Sequence, residues 1–311
     1  MRTMKAIQME SFGGPEVLRL KELPVPEPAA GEVLVRVRAA SVNPVDYKIR
    51  SGTYPLVKSD KLPYVLGRDV SGDVEQTGPG VGALVEGDSI YALVGIDRGT
   101  YAEYVVVKQS EASRKPSALE AVAAAAVPLA GLTAWQGLFR HGGLKSGQRV
   151  LIHGGSGGVG HFAVQFAKAK GAYVIATASS ASLDFVRKLG ADEVIDYREV
   201  RFEDEVRDVD VVFDLIGGQT RDRSWGVLKK GGILVSALGA PSEEEAKFHG
   251  VRGAGYRAEG KASDLDEIAD LVDAAKVKPM VFKTFALKDA AAAQQFLEKE
   301  HPPGKVVLSV A

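Results

Sequence analysis

Residues 149–170 read RVLIHGGSGGVGHFAVQFAKAK, and this stretch decides the fold of the chain around it. The apolar run RVLIH predicts a buried strand, GGSGGVG a tight turn, and the residues after the turn an amphipathic helix. Gly155, Gly157 and Gly160 form the pattern Gly-x-Gly-x-x-Gly in the order strand, turn, helix. That order predicts backbone N–H groups at a helix N-terminus that bind a dinucleotide diphosphate. A glycine-rich turn without a ligand is the alternative interpretation.

Strand and helix patterns alternate after this turn. Strands separated by crossover helices form a parallel sheet, so we expect a doubly wound α/β domain. The predicted strands cover residues 149–153, 173–178, 194–196, 210–215 and 232–238, and the predicted helices cover 161–170, 182–189 and 221–228.

The first third of the chain has a different pattern. Residues 32–40 (EVLVRVRAA) alternate apolar and charged side chains, as a half-buried antiparallel strand does. Further strands are predicted at 67–74, 89–94 and 101–107, so we expect a mostly β segment that closes near Lys115 and Pro116.

Alanine-rich residues 119–127 then predict a helix with a break around Pro128. Near the chain's end the patterns predict a helix at 264–275, a strand at 281–287, a helix at 289–299 and a strand at 305–310. We expect this last segment to fold back onto the first domain.

The length, net charge and cysteine content of the chain exclude several classes of function. A chain of 311 residues with 45% hydrophobic side chains usually forms two domains. A net charge of -1 gives no field for nucleic acid or an anionic membrane, and no run is apolar enough to span a bilayer, so we expect a small-molecule partner. Glu10 and Glu16 interrupt the apolar stretch that a secretory signal needs, and cysteine is absent. We therefore expect a cytoplasmic protein.

The end of the second predicted strand bears on the choice of dinucleotide. An acidic residue there would bind the ribose 2′-hydroxyl of NAD, whereas this chain has Ser179 and Ser180. Two hydroxyls can donate to a 2′-phosphate without opposing charge, which favours NADP(H). Capping of the following helix is the alternative role for these serines.

Several motifs, taken in order, resemble the zinc-independent quinone oxidoreductase branch of the medium-chain dehydrogenase/reductase superfamily. They are the opening residues 4–55, LPYVLGRDVSG (62–72), AVPLAGLTAW (126–135), the glycine turn, LGADEVIDY (189–197), VVFDLIGG (211–218) and GKVVLSV (304–310). The resemblance implies a GroES-like catalytic domain formed from both chain ends (1–118 and 257–311) around a Rossmann domain (119–256). It places the active site in the cleft between these domains.

Zinc-containing relatives bind their catalytic metal with two cysteines and a histidine. By motif position those ligands fall on Asn43, Arg68 and Ala130, which cannot reproduce that site. The resemblance therefore implies hydride transfer from NADPH to a quinone or enone without metal. The alternatives are an enoyl-thioester reductase of the same superfamily and a dinucleotide-binding regulator without turnover.

Polar residues near the start of the chain are the candidates for stabilising or protonating the reduced substrate. Asn43 stands at a metal-ligand position and could donate its amide N–H to the developing oxyanion. Tyr54 matches the proton-donating tyrosine of related enoyl-thioester reductases, with Tyr47 as the second choice and Asp46 as a further candidate. The alternative is that the tyrosines only position substrate.

The resemblance also assigns the cofactor contacts, although Ala181 stands where many relatives have a basic residue. Lys305 could replace that charge or could be a surface residue. Asp214 is a candidate whose carboxylate could equally cap a turn. We also expect a homodimer formed through an edge strand within 247–257. The assigned cofactor residues are Thr133, Gly155, Ser156, Gly157, Gly158, Val159, Gly160, Ser179, Ser180, Tyr197, Ile216, Gly217, Leu238, Gly239 and Lys305.

Overall fold

Two structural units, each with its own sheet, make up the computed structural model, which describes residues 2–310. The first unit contains the chain up to Leu129 together with Glu259–Asp273 and the residues from Pro279 onward. The second contains Ala130–Ala258 and Ala274–Lys278.

The strands, in chain order, are β1 (Thr3–Met9), β2 (Arg19–Pro24), β3 (Glu32–Val42), β4 (Tyr64–Val65), β5 (Asp69–Thr77), β6 (Ser89–Leu93), β7 (Tyr104–Lys108), β8 (Ala112–Arg114), β9 (Arg149–Ile152), β10 (Tyr173–Ala178), β11 (Glu193–Asp196), β12 (Val209–Asp214), β13 (Leu228–Ser236), β14 (Arg252–Gly255), β15 (Val281–Ala286) and β16 (Lys305–Ser309). The α-helices are α1 (Pro44–Arg50), α2 (Ala121–Ala125), α3 (Pro128–Trp135), α4 (Gly160–Ala169), α5 (Leu183–Lys188), α6 (Phe202–Glu205), α7 (Gly218–Ser224), α8 (Glu243–Phe248), α9 (Ala262–Asp273) and α10 (Ala290–Glu300).

The first unit is mostly β. Its larger sheet has the order β15-β16-β3-β5-β6-β8, with β7 also paired to β3, and β2-β1-β4 form a smaller sheet. The alternation predicted for β3 is confirmed, since Val33, Val35 and Val37 are buried in the core of this unit. β16 pairs antiparallel with β3, so the last segment folds back onto the first, as expected.

The second unit contains a parallel sheet in the order β11-β10-β9-β12-β13-β14. From β9 the chain first adds β10 and β11 on one side and then adds β12, β13 and β14 on the other. This is the doubly wound Rossmann arrangement, and the fold class predicted from the sequence is confirmed. The direction of winding reverses between β9 and β12, where open α/β sheets bind ligands.

The helical region around Pro128 is interrupted, as its sequence predicts. α2 ends at Ala125, and Pro128 begins α3, a position where the absent proline N–H has no helical partner to lose. After α3 the helix continues with π geometry at Gln136–His141. Among the helices within residues 2–310, none has the length and apolar character to cross a membrane.

Candidate functional site

The three glycines of the turn between β9 and α4 have different surroundings. A Cβ on Gly160 would lie 2.0 Å from the Gly154 carbonyl oxygen, and one on Gly155 would lie 3.0 Å from the Ala176 Cβ. Around a Cβ on Gly157, the nearest atom is the same carbonyl oxygen at 3.4 Å. Gly155 and Gly160 therefore allow close packing, whereas Gly157 borders open space that a ligand can enter.

The N-terminus of α4 presents donors at this turn. Gly157 N–H donates to Gly154 O and His161 N–H to Gly157 O. Within residues 2–310, the hydrogen bonds leave the backbone N–H groups of Gly158, Val159 and Gly160 without an acceptor. Three such donors at a helix N-terminus suit a diphosphate, because the helix dipole adds partial positive charge there.

Asp214, at the end of β12, holds the two loops that follow β12 and β13. Its Oδ1 accepts from the N–H groups of Ile216 (3.0 Å) and Gly217 (2.7 Å), and its Oδ2 accepts from Ser236 Oγ at 2.8 Å. Ser236 Oγ in turn accepts from Leu238 N–H at 3.1 Å. Asp214 is fully buried, so it organises the loops and does not meet a ligand itself.

These loops lie beside the glycine turn. A Cβ on Gly154 would be 3.2 Å from Ile216 Cδ1, and one on Gly217 would be 3.3 Å from Leu238 Cδ1. The side chains of Ile216 and Leu238 are about half exposed. The structure thus brings together the residues that the sequence assigned to the ends of β9, β12 and β13.

A relay of hydrogen bonds anchors the first residue of the glycine turn. Gly154 N–H donates to Thr177 Oγ1 at 3.1 Å, and His153 lies between Thr177 Oγ1 (3.3 Å) and Ser224 Oγ (2.9 Å). Because Ser224 Oγ donates to the Thr220 carbonyl at 2.7 Å, His153 Nε2 carries the proton and Nδ1 accepts from Thr177. Burial lowers the pKa of His153 from 6.5 to about 4, which keeps the ring neutral.

The ends of β10 and β11 bring charges to the predicted serines. Parallel pairing sets Ala178 opposite Asp196, so Ser179 and Ser180 adjoin Asp196 and the residues after it. The Ser180 hydroxyl, followed by the Arg198 N–H, lowers the pKa of Asp196. The serines themselves carry no opposing charge, but the pairing of β10 with β11 sets the carboxylate of Asp196 beside them, which the order of residues in the sequence does not show.

Tyr197 and Arg198 follow Asp196. The Tyr197 side chain is 55% exposed, and the Arg198 guanidinium lies over its ring, 5.9 Å from the centroid. An exposed cation thus accompanies the serines, although Ala181 lacks one.

Thr133 lies on α3 and is buried, and its carbonyl oxygen accepts a hydrogen bond from the Tyr256 hydroxyl. Tyr256 also stacks on His141 with ring centroids 4.5 Å apart. A Cβ on Gly137, in the π-helical turn, would lie 2.4 Å from the Tyr256 hydroxyl. Gly137 therefore leaves the space through which Tyr256 reaches Thr133.

In the first unit, the buried carboxylate of Asp69 is the centre of a polar cluster. Its Oδ1 accepts from Leu129 N–H at 2.6 Å. Its Oδ2 accepts from Ser41 Oγ and from Asn43 Nδ2 at 2.9 Å, and it lies 3.7 Å from Lys305 Nζ. Burial lowers the pKa of Lys305, and Asp69 partly offsets that effect.

This cluster changes the roles expected for Asn43 and Lys305. Asn43 Nδ2 donates to Asp69 and makes weaker 3.4 Å contacts with Ser41, while Asn43 Oδ1 accepts from Lys305. Asn43 is only 3% exposed, so the expectation of an amide free to donate to an oxyanion is wrong. Lys305 is neither a surface residue nor free for a phosphate, because its ammonium is buried with Asp69.

Asp46 is a structural residue of α1. Its Oδ2 accepts from Asn43 N–H at 2.8 Å, which completes a capping box, and from the Tyr101 hydroxyl at 2.9 Å. Burial raises the pKa of Asp46 to about 7, and its Oδ1 has no hydrogen-bond partner. Because Asp46 is fully buried, its proposed part in catalysis is not supported.

The two candidate tyrosines are the accessible members of this group. Tyr47 lies on α1 and Tyr54 in the loop after it, and both are half-buried. Burial and the nearby Glu298 raise the pKa of Tyr47. Within residues 2–310 no hydrogen bond engages either phenol hydroxyl, so both can meet a ligand.

Sequence reasoning assigned no role at the site to Thr177, Arg198 or Tyr256. Thr177 and His153 are polar residues at the ends of apolar strands beside the turn, a signal that could have paired them. Nothing in the sequence pairs Tyr256 with Thr133, which lies 123 positions earlier. For metals, the described residues 2–310 contain no cluster of three or more potential side-chain ligands.

Comparison with known proteins places the chain in a family. A family model described as "Alcohol dehydrogenase GroES-like domain" matches residues 29–117, and one described as "Zinc-binding dehydrogenase" matches residues 189–308. The NADPH-dependent alkenal/one oxidoreductase, chloroplastic, of Arabidopsis thaliana is 38% identical, over 99% of this chain and 80% of its own. The mitochondrial NAD(P)H oxidoreductase RTN4IP1 of Mus musculus is 37% identical, over 99% and 89%.

The structure of the quinone oxidoreductase from Coxiella burnetii superposes with a TM-score of 0.91 at 38% identity, over all of both chains. This chain belongs to the quinone oxidoreductase branch of the medium-chain dehydrogenase/reductase superfamily. Like other members of that superfamily it combines a GroES-like domain with a Rossmann domain. The matching family description mentions zinc, but this member has no cysteine for a thiolate site.

We expect Gly157→Ala to separate ligand binding from folding in this oxidoreductase. The added methyl group meets only the Gly154 carbonyl oxygen but occupies the space beside the free N–H groups. The dissociation constant for NADH and NADPH should rise roughly tenfold or more, since about 1.4 kcal/mol of lost contact has that effect. Nucleotide fluorescence measures affinity, and thermal unfolding should change little.

Gly160→Ala is the contrasting variant, because its Cβ would overlap backbone and should lower the melting temperature. Gly226→Ala is the matched control, since a Cβ there meets nothing within 4 Å. Normal affinity in Gly157→Ala would contradict the assignment of the turn to a diphosphate.

The second prediction concerns the loss of folding stability at low pH through His153. Since the pKa of His153 is lowered from 6.5 to about 4, its neutral form stabilises the fold above pH 6.5, and that contribution is lost as the pH falls toward 4. Between pH 8 and 5 this residue should remove about 2 kcal/mol from the free energy of unfolding. Urea titrations of wild type and His153→Gln at each pH measure the free energy of unfolding. The difference between the two proteins isolates the contribution of His153, because the other titrating groups are the same in both. Parallel pH profiles would contradict the prediction.

Proposed function

We propose that this chain reduces quinones and α,β-unsaturated carbonyl compounds with NADPH. The observation that carries the proposal is the cradle around Gly157, where three N–H groups without acceptors border open space at the switch point of the sheet. The names of the relatives from Arabidopsis thaliana and Coxiella burnetii support the class of substrate. These names describe those proteins, and at 38% identity they guide the choice of substrates to test.

The residues of the second unit fit a nicotinamide dinucleotide. Gly155 to Gly160 would hold the diphosphate, with Ser156, Gly158 and Val159 contributing backbone. Ile216, Gly217, Leu238 and Gly239 would line the nicotinamide side, where Asp214 holds both loops in place. Thr133 would border the nicotinamide, its carbonyl oxygen held by Tyr256.

When bound, the reduced nicotinamide supplies a hydride. For an enone the hydride forms a C–H bond at the β-carbon, the π electrons move onto the carbonyl oxygen, and a proton then reaches the α-carbon. Addition of the hydride and the proton would convert the enone into a saturated ketone and leave the nucleotide oxidised. The Tyr54 phenol is our first candidate for proton donor and Tyr47 the second, because their hydroxyls are unengaged and Asn43 and Asp46 are not available.

A preference for NADPH over NADH belongs to this proposal. Ser179, Ser180 and Tyr197 lie at neighbouring strand ends, and Arg198 adds an exposed positive charge there. Asp196 would oppose a phosphate, but the Ser180 hydroxyl and Arg198 partly compensate its charge.

The homodimer also stays a prediction. β14 is an edge strand that a second copy could extend, and size-exclusion chromatography tests whether the protein is a dimer.

The test of function compares two substrates in one variant. Wild type should oxidise NADPH with both a 1,4-quinone and a small enone, with or without a chelator. Tyr54→Phe should lower kcat on the enone about 100-fold, because carbon protonation needs a donor. Turnover on the quinone should change little, since its oxygens exchange protons with water.

Tyr47→Phe is the matched variant, and NADPH fluorescence checks that binding is intact. Full enone turnover by Tyr54→Phe would remove Tyr54 from the mechanism. Absence of wild-type turnover on both substrates, with NADPH still bound, would favour the non-catalytic alternative, and preference for a crotonyl thioester would favour an enoyl-thioester reductase.

Arg198→Gln tests cofactor preference. Loss of a charge-assisted hydrogen bond to the 2′-phosphate costs about 1.5 to 3 kcal/mol, so KM for NADPH should rise roughly tenfold or more. KM for NADH should stay the same. Arg187→Gln, on α5, is the control because that exposed arginine pairs with Asp184 at 2.8 Å. Equal changes with both nucleotides would contradict a phosphate contact.

A further inference from the structure

Arg68 differs from three other buried or half-buried cations of the first unit, each of which lies beside a carboxylate. Arg50 pairs with Glu298 at 3.0 Å, Arg98 with Asp97 at 2.7 Å, and Lys305 lies beside Asp69. No carboxylate within residues 2–310 lies within ion-pair distance of Arg68, and no acceptor in that range binds its Nη1 or Nη2. Its guanidinium is therefore a cation with four N–H donors open.

The base of this side chain is held firmly. Arg68 Nε donates to the Val94 carbonyl at 3.1 Å, and Val94 N–H donates to the Arg68 carbonyl at 2.9 Å. Arg68 directly precedes β5 and is half-buried. A fixed, partly desolvated guanidinium without a counter-ion favours an oxygen that carries negative charge.

Arg68 also belongs to the region of the candidate tyrosines. Tyr64, whose hydroxyl donates to the Ile96 carbonyl at 2.7 Å, is close enough to both Arg68 and Tyr54 for each to affect its pKa. Burial is the main cause that raises the pKa of Tyr64; Arg68 opposes that rise and Tyr54 adds to it. The Arg68 guanidinium and the Tyr54 phenol therefore both act electrostatically on Tyr64, and Tyr54 packs against the hydrophobic core that contains Tyr64.

Asn43 cannot supply the donor that the reaction needs. Asp69 and Ser41 occupy its amide hydrogens, and Asp69 also holds Ser41 Oγ and the Lys305 ammonium. The developing charge on a carbonyl oxygen requires a donor from another residue.

We propose that Arg68 is a catalytic residue whose Nη atoms donate to the carbonyl oxygen of the quinone or enone. The inference rests on the proposed function. As the hydride bonds to the substrate, the displaced electron pair collects on that oxygen, and the guanidinium stabilises the resulting anion without giving up a proton. The proton on carbon still comes from the tyrosine, and the nucleotide ends oxidised.

The experiment compares Arg68→Gln and Arg68→Lys with wild type on one enone and one quinone. Arg68→Gln should lower kcat/KM for both substrates about 100-fold, as removal of an oxyanion donor does, while KM for NADPH and the melting temperature stay the same. Arg68→Lys should recover part of the loss, because it keeps the charge but loses the fork of donors. Millimolar guanidinium should restore activity to Arg68→Ala.

Arg19→Gln is the matched control, an exposed arginine on β2. If wild type turns over both substrates and the kcat/KM of Arg68→Gln lies within twofold of the wild-type value, this inference is overturned and the proposed function stays intact. A rise confined to KM for NADPH, or a loss that neither lysine nor guanidinium restores, would also overturn it. A wild type without turnover would defeat the proposed function and this inference together.

Discussion

The approach of α4 to the end of β9 is the constraint on which the second unit depends. The Gly154 carbonyl oxygen occupies the place where a side chain at residue 160 would begin, so the helix reaches the sheet only because that residue is glycine. The same approach sets the first N–H groups of α4 beside the open space at Gly157. Packing and ligand binding therefore have one origin, and the His153 relay keeps the turn in register with β10.

A single carboxylate has a comparable role in the first unit. Asp69 joins β3, β16 and the residue that follows Pro128 through Ser41, Lys305 and Leu129. The side chains of Ser41, Asn43 and Lys305 that it engages are all buried. The catalytic roles that we propose therefore fall on residues that Asp69 does not engage.

The sequence predicted the fold well, because burial on a sheet leaves a repeating pattern. RVLIH and YVIATA both correspond to strands within one residue of the prediction, since apolar runs bounded by glycine or serine have few alternatives. The glycine turn was predictable because the pattern Gly-x-Gly-x-x-Gly lies directly between a predicted strand and a predicted helix. α8 was missed, because a short helix in the polar segment 241–258 carries little periodic signal, and β14 was expected only by resemblance, as an edge strand within 247–257.

Side-chain partners were less predictable. Asn43 and Lys305 lie 262 positions apart, and only pairing of β16 with β3 brings them together. Asp196 reaches Ser180 through the pairing of β10 with β11. Motif position showed only that Asn43 and Arg68 cannot bind zinc; it did not show that the Asn43 amide is engaged and that the Arg68 Nη atoms are not.

Asp214 hydrogen-bonds to two loops that are separate in sequence, so the conformations of the two loops are energetically coupled. Its Oδ1 holds the backbone after β12, and its Oδ2 holds that after β13 through Ser236. Reshaping either loop changes the geometry available to the other, so substitutions in them will act non-additively. An engineer who wishes to alter this part of the pocket has to redesign both segments as one unit.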